Sequence, residues 1–269
     1  MHTEEQILVY GHRGARAYAP MNTLAAFALA IEMGADGIEL DVQLCADREL
    51  IVLHDFTVDG TTDGQGKVAD LLLAELKELD ASYRFEAMAE PLSTKTGVNA
   101  AFSKLRIPTL EEVFVLVHDA AAKNFMVNVE IKAPYEATLE GDASTNRLEE
   151  VLSDCIKRYK MEKQCIVSSF NPASLYRMKK LCPHIPIGYL REESSPDYCD
   201  TLMAALEHEA WHPRYSLASA EAIAAEIKRG HRVNVWTVND EAETLRLAAS
   251  GVSGIITDMP DRILQFLGR

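Results

Sequence analysis

The chain has 269 residues, with 27 Lys and Arg against 41 Asp and Glu, a formal net charge of −14. That length holds one large α/β barrel or two small domains, and 48% apolar with 25% charged residues excludes a disordered chain. The acidic balance excludes nucleic acid and anionic membrane as general partners, while leaving room for an anionic substrate held by a local cluster of Arg, Lys or metal.

No apolar run approaches the length of a transmembrane span, so stable membrane insertion is not expected. The opening Met-His-Thr-Glu-Glu-Gln has neither the basic nor the apolar region of a signal peptide. Cys45, Cys155, Cys165, Cys182 and Cys199 are scattered, odd in number and without a Cys-x-x-Cys pair, which suits buried thiols in a reducing compartment. A cytoplasmic protein is expected.

Along the chain, short β-branched runs alternate with amphipathic stretches. Strands are predicted at Ile7–Tyr10, Gly37–Val42, Glu49–Leu53, Met126–Ile131, Cys165–Ser169, Ile187–Leu190, weakly around Ala210–Trp211, then at Arg232–Val238 and Gly254–Thr257. Helices are predicted at Asn22–Met33, Ala69–Leu79, Leu110–Lys123, Thr145–Tyr159, Pro172–Leu181, Asp197–Glu207, Ala218–Lys228, Asp240–Ala249 and Asp261–Leu267. Asn22, Thr109, Asn171 and Asp240 are suited to N-caps, and Gly34, Gly230 and Gly251 to left-handed helix ends. Strand–helix alternation implies parallel strands with crossover helices, and about 250 residues is the size of a TIM (β/α)8 barrel. Nine strands are one too many, and Glu49–Leu53 is the expected supernumerary piece. A doubly wound open sheet is the competing fold, but no Gly-rich phosphate loop follows the first strand. The stretch 56–108 breaks the alternation and reads as a small insertion after the His54 segment, within a single domain spanning 1–269.

Barrel enzymes carry their catalytic groups at the C-terminal ends of strands. Here those ends read Gly11-His12-Arg13-Gly14, Glu39-Leu40-Asp41, His54-Asp55 and Glu130-Ile131-Lys132. Glu39 and Asp41, two apart on a strand, point to one face, and apolar Ile38 and Leu40 point to the other. The carboxylates therefore face the barrel interior, and the same alternation turns Glu130 and Lys132 inward. Three inward carboxylates ask for neutralisation, and oxygen-only ligands favour Mg²⁺ or Ca²⁺ over Zn²⁺. A buried salt-bridge network of the same acids with Arg13 and Lys132 is the alternative. His12 and His54 fall beside this cluster and suit paired acid–base work on a phosphodiester, with Arg13 and Lys132 facing its oxygens.

At these residues the sequence resembles the glycerophosphodiester phosphodiesterase family. The matching segments are Gly11-His-Arg-Gly-Ala15, Pro20-Met-Asn-Thr23, Gly37-Ile-Glu-Leu-Asp-Val42, Ile51-Val-Leu-His-Asp55, Thr61-Thr-Asp-Gly-Gln-Gly66, Ile107-Pro-Thr-Leu-Glu-Glu112 and Val129-Glu-Ile-Lys132. Ser168-Ser-Phe170, Val235-Trp-Thr-Val-Asn239 and Ile256-Thr-Asp-Met-Pro-Asp261 continue the match in order. The resemblance implies a TIM barrel that hydrolyses glycerophosphodiesters to glycerol 3-phosphate and an alcohol. It implies Glu39, Asp41 and Glu130 as ligands of Mg²⁺ or Ca²⁺, and His12 with His54 as the acid/base pair. Arg13 and Lys132 would hold the phosphate, with Trp236 as an aromatic wall of the pocket.

Two positions depart from the family pattern. Met21 stands where the family has Glu, which removes a carboxylate near the metal, and Gly60 stands where it commonly has Arg. Two other functions use the same framework: a lysophospholipase D-like enzyme acting on lipid, and a barrel that binds without catalysis. Oligomeric state is left open.

Overall fold

The computed structural model describes residues 6–90, 102–134 and 148–269. Nine strands run β1 Leu8–His12, β2 Gly37–Leu44, β3 Leu50–Val52, β4 Met126–Ile131, β5 Cys165–Ser169, β6 Ile187–Arg191, β7 Ala210–Pro213, β8 Arg232–Val235 and β9 Gly254–Thr257. Their order is β1-β9-β8-β7-β6-β5-β4-β2-β3, and a further β1–β2 pairing closes the sheet. All pairings are parallel except β2–β3. Eight parallel strands with helices between them make a TIM barrel, and β3, the expected extra piece, is an antiparallel flap on β2.

The helices are α1 Leu24–Glu32, α2 Leu73–Leu76, α3 Leu110–Ala120, α4 Leu148–Arg158, α5 Pro172–Leu181, α6 Asp197–Ala205, α7 Ala220–Lys228, α8 Glu241–Ala249 and α9 Pro260–Phe266. Thr109 caps α3 through a capping box with Glu112, Asn171 caps α5 ahead of Pro172, and Asp240 caps α8. Gly34, Gly230 and Gly251 have φ of 85°, 90° and 80°, as their places after helices require.

Several expected boundaries move. Thr23 rather than Asn22 caps α1, its hydroxyl accepting from the Ala26 N–H. Asn22 is left-handed, with φ 57°, and is drawn elsewhere by a buried partner described below. The helix expected over Ala69–Leu79 is a 3-10 turn at Val68–Asp70 followed by the four-residue α2. There Leu76 and Val68 pack into a satellite core with Val58, Ile51 and Ile107, so tertiary contacts set the local shape of the insertion. The run Arg232–Val238 ends as a strand at Val235, beyond which Trp236 keeps an isolated parallel bridge to Arg214. Residues 145–147 of the expected fourth helix, and Leu92 and Val98 of the insertion, lie outside the described residues.

The main core lies between strands and helices. Outward-facing Ile38, Leu40, Val127, Val129 and Val167 pack with Phe27, Phe114, Leu152 and Leu175, all fully buried. Each such side chain contributes about 1.5–3 kcal/mol. Inside the barrel the packing is by steric exclusion. Tyr10 fills the lower end, and a Cβ on Gly37 would stand 2.5 Å from the Met126 carbonyl oxygen and 2.7 Å from the Tyr10 ring. Gly37→Ala should therefore cost about 1–3 kcal/mol, measured as a lowered urea midpoint; an unchanged midpoint would show that Tyr10 does not fill that space.

Candidate active site

Strand register assembles the site. His12 pairs with Glu39 across β1–β2, and Glu39 with Asn128, then Asp41 with Glu130, across β2–β4. In-register neighbours on parallel strands share a face, so these side chains gather at one mouth of the barrel. One atom from each of Glu39, Asp41 and Glu130 lies within 4.8 Å of the others, and all three residues are buried. The expected inward alternation is what the structure shows.

The turn after β1 is held by backbone rather than side-chain bulk. Arg13 has φ 53°, and Gly14 has φ 87° with its absent Cβ only 2.5 Å from the Ala26 carbonyl carbon. That close approach presents the Arg13 N–H to Glu39 Oε2 at 3.1 Å and sets Arg13 Nε 3.1 Å from Asp41 Oδ2. Asn22 Nδ2 donates to the same Asp41 Oδ2 at 2.8 Å, which is the partner that takes Asn22 away from capping. Lys132 Nζ lies 2.6 Å from Glu130 Oε1 and 3.6 Å from Asp41 Oδ1. Arg13 Nη1 points at Met21 Sδ, 3.3 Å away, so the departure from the family pattern falls directly on Arg13. Gly60 faces Asp55, whose Oδ2 would lie 2.7 Å from a Cβ added there.

The electrostatics are uneven. Burial pushes Glu39 well above the usual carboxylate range, reinforced by Asp41 and Glu130, and raises Glu130 to about 7 against the opposing pull of Lys132. Burial also acts to raise Asp41, but Arg13 and Lys132 outweigh it and hold the carboxyl below its ordinary value. Burial alone would lower Lys132; Glu130 and Asp41 overcome it and keep the ammonium above its usual value. Three carboxylates face two cations, and Asp41 Oδ1 is buried with no hydrogen-bond partner among the described residues. An all-oxygen set with an orphaned carboxylate oxygen fits a hard divalent cation.

Both histidines are placed beside this set. His12 Nδ1 is 2.7 Å from Asp258 Oδ1, so the ring carries its proton on Nδ1 and turns Nε2 into the site, 4.0 Å from Glu39 Oε2. Burial lowers the His12 pKa, opposed by the Asp258 hydrogen bond. Asp258 accepts from Asn239 Nδ2 at 2.8 Å and lies 3.7 Å from Arg16 Nη1. His54 Nδ1 is 2.7 Å from Asp55 Oδ1 in a more open setting, and burial lowers its pKa as well. Trp236 is half-buried, donates Nε1–H to the His212 carbonyl at 2.8 Å and meets Phe170 edge-to-face at 5.6 Å. His12, Arg13, Glu39, His54, Glu130, Lys132, Phe170 and Trp236 line one cavity of about 430 Å³. All the site residues expected from sequence therefore border this mouth, with Asp41 seated beneath it.

Sequence reasoning missed Asp258, Asn239 and Asn22 as members of the site. Asp258 and Asn239 stand in motifs that were matched, at the ends of β9 and β8, but their partners lie more than 200 residues away or on another strand. Only the closing of the barrel brings them to His12.

The sequence model of the glycerophosphoryl diester phosphodiesterase family matches residues 12–262. A glycerophosphodiester phosphodiesterase of Caldanaerobacter subterraneus subsp. tengcongensis is 41% identical over 262 residues, 97% of each chain. A crystal structure from Silicibacter pomeroyi DSS-3 superposes with a TM-score of 0.84 at 26% identity, covering 98% of this chain and 93% of that one. An Oleispira antarctica phosphodiesterase, solved with its product sn-glycerol-3-phosphate, matches with a TM-score of 0.81 at 27% identity over 97% of both chains.

The raised carboxyls at the mouth predict a proton-linked site. Without a cation, Glu130 titrates near 7 and burial holds Glu39 above the usual carboxylate range, so divalent affinity should rise with pH through about 7 and binding should release protons. Calorimetry in buffers of different ionisation enthalpy, on either side of that pH, measures both. Chelated protein should also lose stability as pH rises through the Glu130 value, because the folded state keeps a proton that the unfolded chain has already released. A pH-independent affinity would contradict the assignment of these carboxyls as ligands.

Proposed function

The chain belongs to the glycerophosphoryl diester phosphodiesterase family, and on that premise we propose that it hydrolyses glycerophosphodiesters to glycerol 3-phosphate and an alcohol at the mouth of its barrel. The observation that carries this is the meeting, at one mouth of the barrel, of a carboxylate triad with two histidines that are each bonded to an aspartate. The enzyme is a phosphoric diester hydrolase, and the cavity of about 430 Å³ suits a small diester. The whole chain acts as one barrel unit, with 56–108 as its embellishment.

Glu39, Asp41 and Glu130 would hold Mg²⁺ or Ca²⁺, which when bound supplies charge neutralisation at the phosphoryl oxygens. The five groups Glu39, Asp41, Glu130, Arg13 and Lys132 sum to −1 when ionised, so a divalent cation and a monoanionic diester together bring the site to neutrality. His12, neutral and with Nε2 free, takes the proton of the attacking oxygen, either that of water directly or that of the glycerol 2-hydroxyl to give a cyclic phosphate that water then opens, and Asp258 stabilises the imidazolium that forms. As the phosphorus–oxygen bond to the alcohol breaks, His54, entering the step protonated with its Nδ1–H held by Asp55, gives its other proton to the departing alkoxide. Arg13 and Lys132 orient the phosphate, and Trp236 with Phe170 forms the apolar wall. Five buried cysteines, all free, support a reducing cytoplasmic setting. Among the described residues, no helix is long and apolar enough to cross a membrane.

The experiment is release of glycerol 3-phosphate from glycerophosphocholine and glycerophosphoethanolamine with Mg²⁺, Ca²⁺ or a chelator, alongside lysophosphatidylcholine. Metal-dependent release from the water-soluble diesters is expected, lost by at least about 10²-fold in His12→Ala and His54→Ala. Choline released from lysophosphatidylcholine, with lysophosphatidic acid as the other product, and no glycerol 3-phosphate from the water-soluble diesters would move the assignment to a lipid substrate. No release by folded, metal-loaded protein would leave a binding barrel, and Met21→Glu would then be the restoring substitution to measure.

Asp258→Asn should lower kcat about 10²-fold with a smaller change in KM. The acid limb of its kcat/KM profile should move to lower pH, because the carboxylate charge that raises the His12 pKa is lost. A purely structural Asp258 would instead lower stability and leave that limb in place.

A further inference from the structure

At the opposite end of the barrel from this site, three potential ligands meet that the proposed reaction does not use. His208 precedes β7 by two residues, His231 precedes β8 by one, and Glu226 lies in the last turn of α7. We infer that His208, Glu226 and His231 form a second metal site, selective for a nitrogen-preferring ion such as Zn²⁺ and distinct from the carboxylate site at the mouth.

Local rules build half of it. After α7, the Gly230 N–H bonds to the Ile227 carbonyl at 2.9 Å and the His231 N–H to the Glu226 carbonyl at 3.0 Å, the paired bonds of a Schellman end, with Gly230 at φ 90°. That motif sets the residue two beyond the cap over the residue three before it, a contact that is commonly apolar. Here it places the imidazole of His231 against the carboxylate of Glu226, with Nδ1 2.6 Å from Oε2.

Strand pairing supplies the other half. Ala210 is in register with Arg232, and the Arg232 N–H bonds to the Glu209 carbonyl at 2.9 Å, so the segments leading into β7 and β8 run side by side. The His208 and His231 rings lie 4.1 Å apart between centroids, with 36° between their planes. One ligand atom from each of His208, Glu226 and His231 lies within 4.8 Å of the others.

The tautomers are fixed by what the rings already bond. His208 Nδ1 is 2.9 Å from the Leu206 carbonyl, which only accepts, so that nitrogen carries the proton. His231 Nδ1 likewise donates to the Glu226 carboxylate. His208 Nε2 is thereby left without a hydrogen bond among the described residues, and an ion seated between His231 Nδ1 and Glu226 Oε2 would displace the proton they share, while Arg229 holds the other carboxylate oxygen. For His208, a far N–H held by a backbone carbonyl is the usual arrangement of a metal-ligating histidine.

Two nitrogens and one carboxylate favour Zn²⁺ or Ni²⁺ over the hard cations suited to three carboxylates. Zinc–nitrogen bonds of about 2.0–2.1 Å require the ligand atoms to close in by about 1 Å. The three residues border an open cavity, which leaves room for that movement and for water as a further ligand. The ion would tie the segment before β7 to the turn before β8 where their ladder has only two residue pairs, against six between β2 and β4.

The test is Zn²⁺ titration of the chelator-stripped full chain with saturating Mg²⁺ present, read by competition with a chromophoric chelator and by thermal melting. Wild type should bind one Zn²⁺ and melt higher. The double variant His208→Ala/His231→Ala should lose at least about 10²-fold in Zn²⁺ affinity and the whole of the melting shift, with Mg²⁺ affinity at the mouth unchanged. Glu226→Gln keeps the shape of the site and should weaken Zn²⁺ by about 10-fold or more, which covers the case of a poorly folding double variant. Cu²⁺ in the same site should show nitrogen superhyperfine splitting in its electron paramagnetic resonance spectrum. Zn²⁺ affinity unaltered in the variants, a lack of nitrogen splitting, or no Zn²⁺ binding by wild type would each overturn the inference. None of these readouts depends on catalytic turnover.

Discussion

Two acidic side chains are forced together inside this barrel by parallel register, and much of the catalytic face is arranged around that repulsion. Asp41 and Glu130 are partners across β2–β4, with Glu39 one inward position below. Neither strand can slip by one residue to relieve the crowding, because the slip would turn Ile38, Leu40, Val129 and Ile131 into the interior and expose charge to the helices. The outer apolar core thus holds the inner charges in place. Its packing energy is what makes an otherwise unfavourable cluster persist.

The neighbours answer the repulsion in different ways. Arg13 is carried into reach by a left-handed residue and a glycine, Lys132 by the end of β4, and Asn22 by leaving its expected capping position. Those three settle Asp41 as a firm anion, whereas Glu39 and Glu130 remain proton-hungry. A cluster divided in this way, with one carboxyl firmly ionised and two held high by burial, has the all-oxygen composition that suits a hard cation. His12 stands at the edge of the same field with its proton pinned by Asp258, which leaves its other nitrogen turned toward Glu39 and the cavity.

Legibility differed by element for physical reasons. The period-two pattern of Gly37–Val42 and Met126–Ile131 revealed which side chains face inward, since alternation is a property of any strand whatever surrounds it. The eight parallel strands and the supernumerary β3 followed from element order. Ala69–Leu79 misled because its helical pattern is short and lies in an insertion, where contacts with Ile51 and Ile107 decide the backbone. Asn22 misled because two partners competed for it: the α1 N-terminus, which Thr23 serves equally well, and the buried Asp41, which has few other donors.

By itself the sequence determined the barrel, the inward carboxylates, the two histidines and the family, because these rest on local periodicity and on collinear motifs. Only the tertiary structure decided which nitrogen of His12 is free, that Met21 meets Arg13, and that His208 and His231 face one another across adjacent strand starts. Each of those depends on residues far apart in the chain, or on the orientation of a side chain among competing partners. Such relations arise only when the sheet closes on itself and burial selects one arrangement.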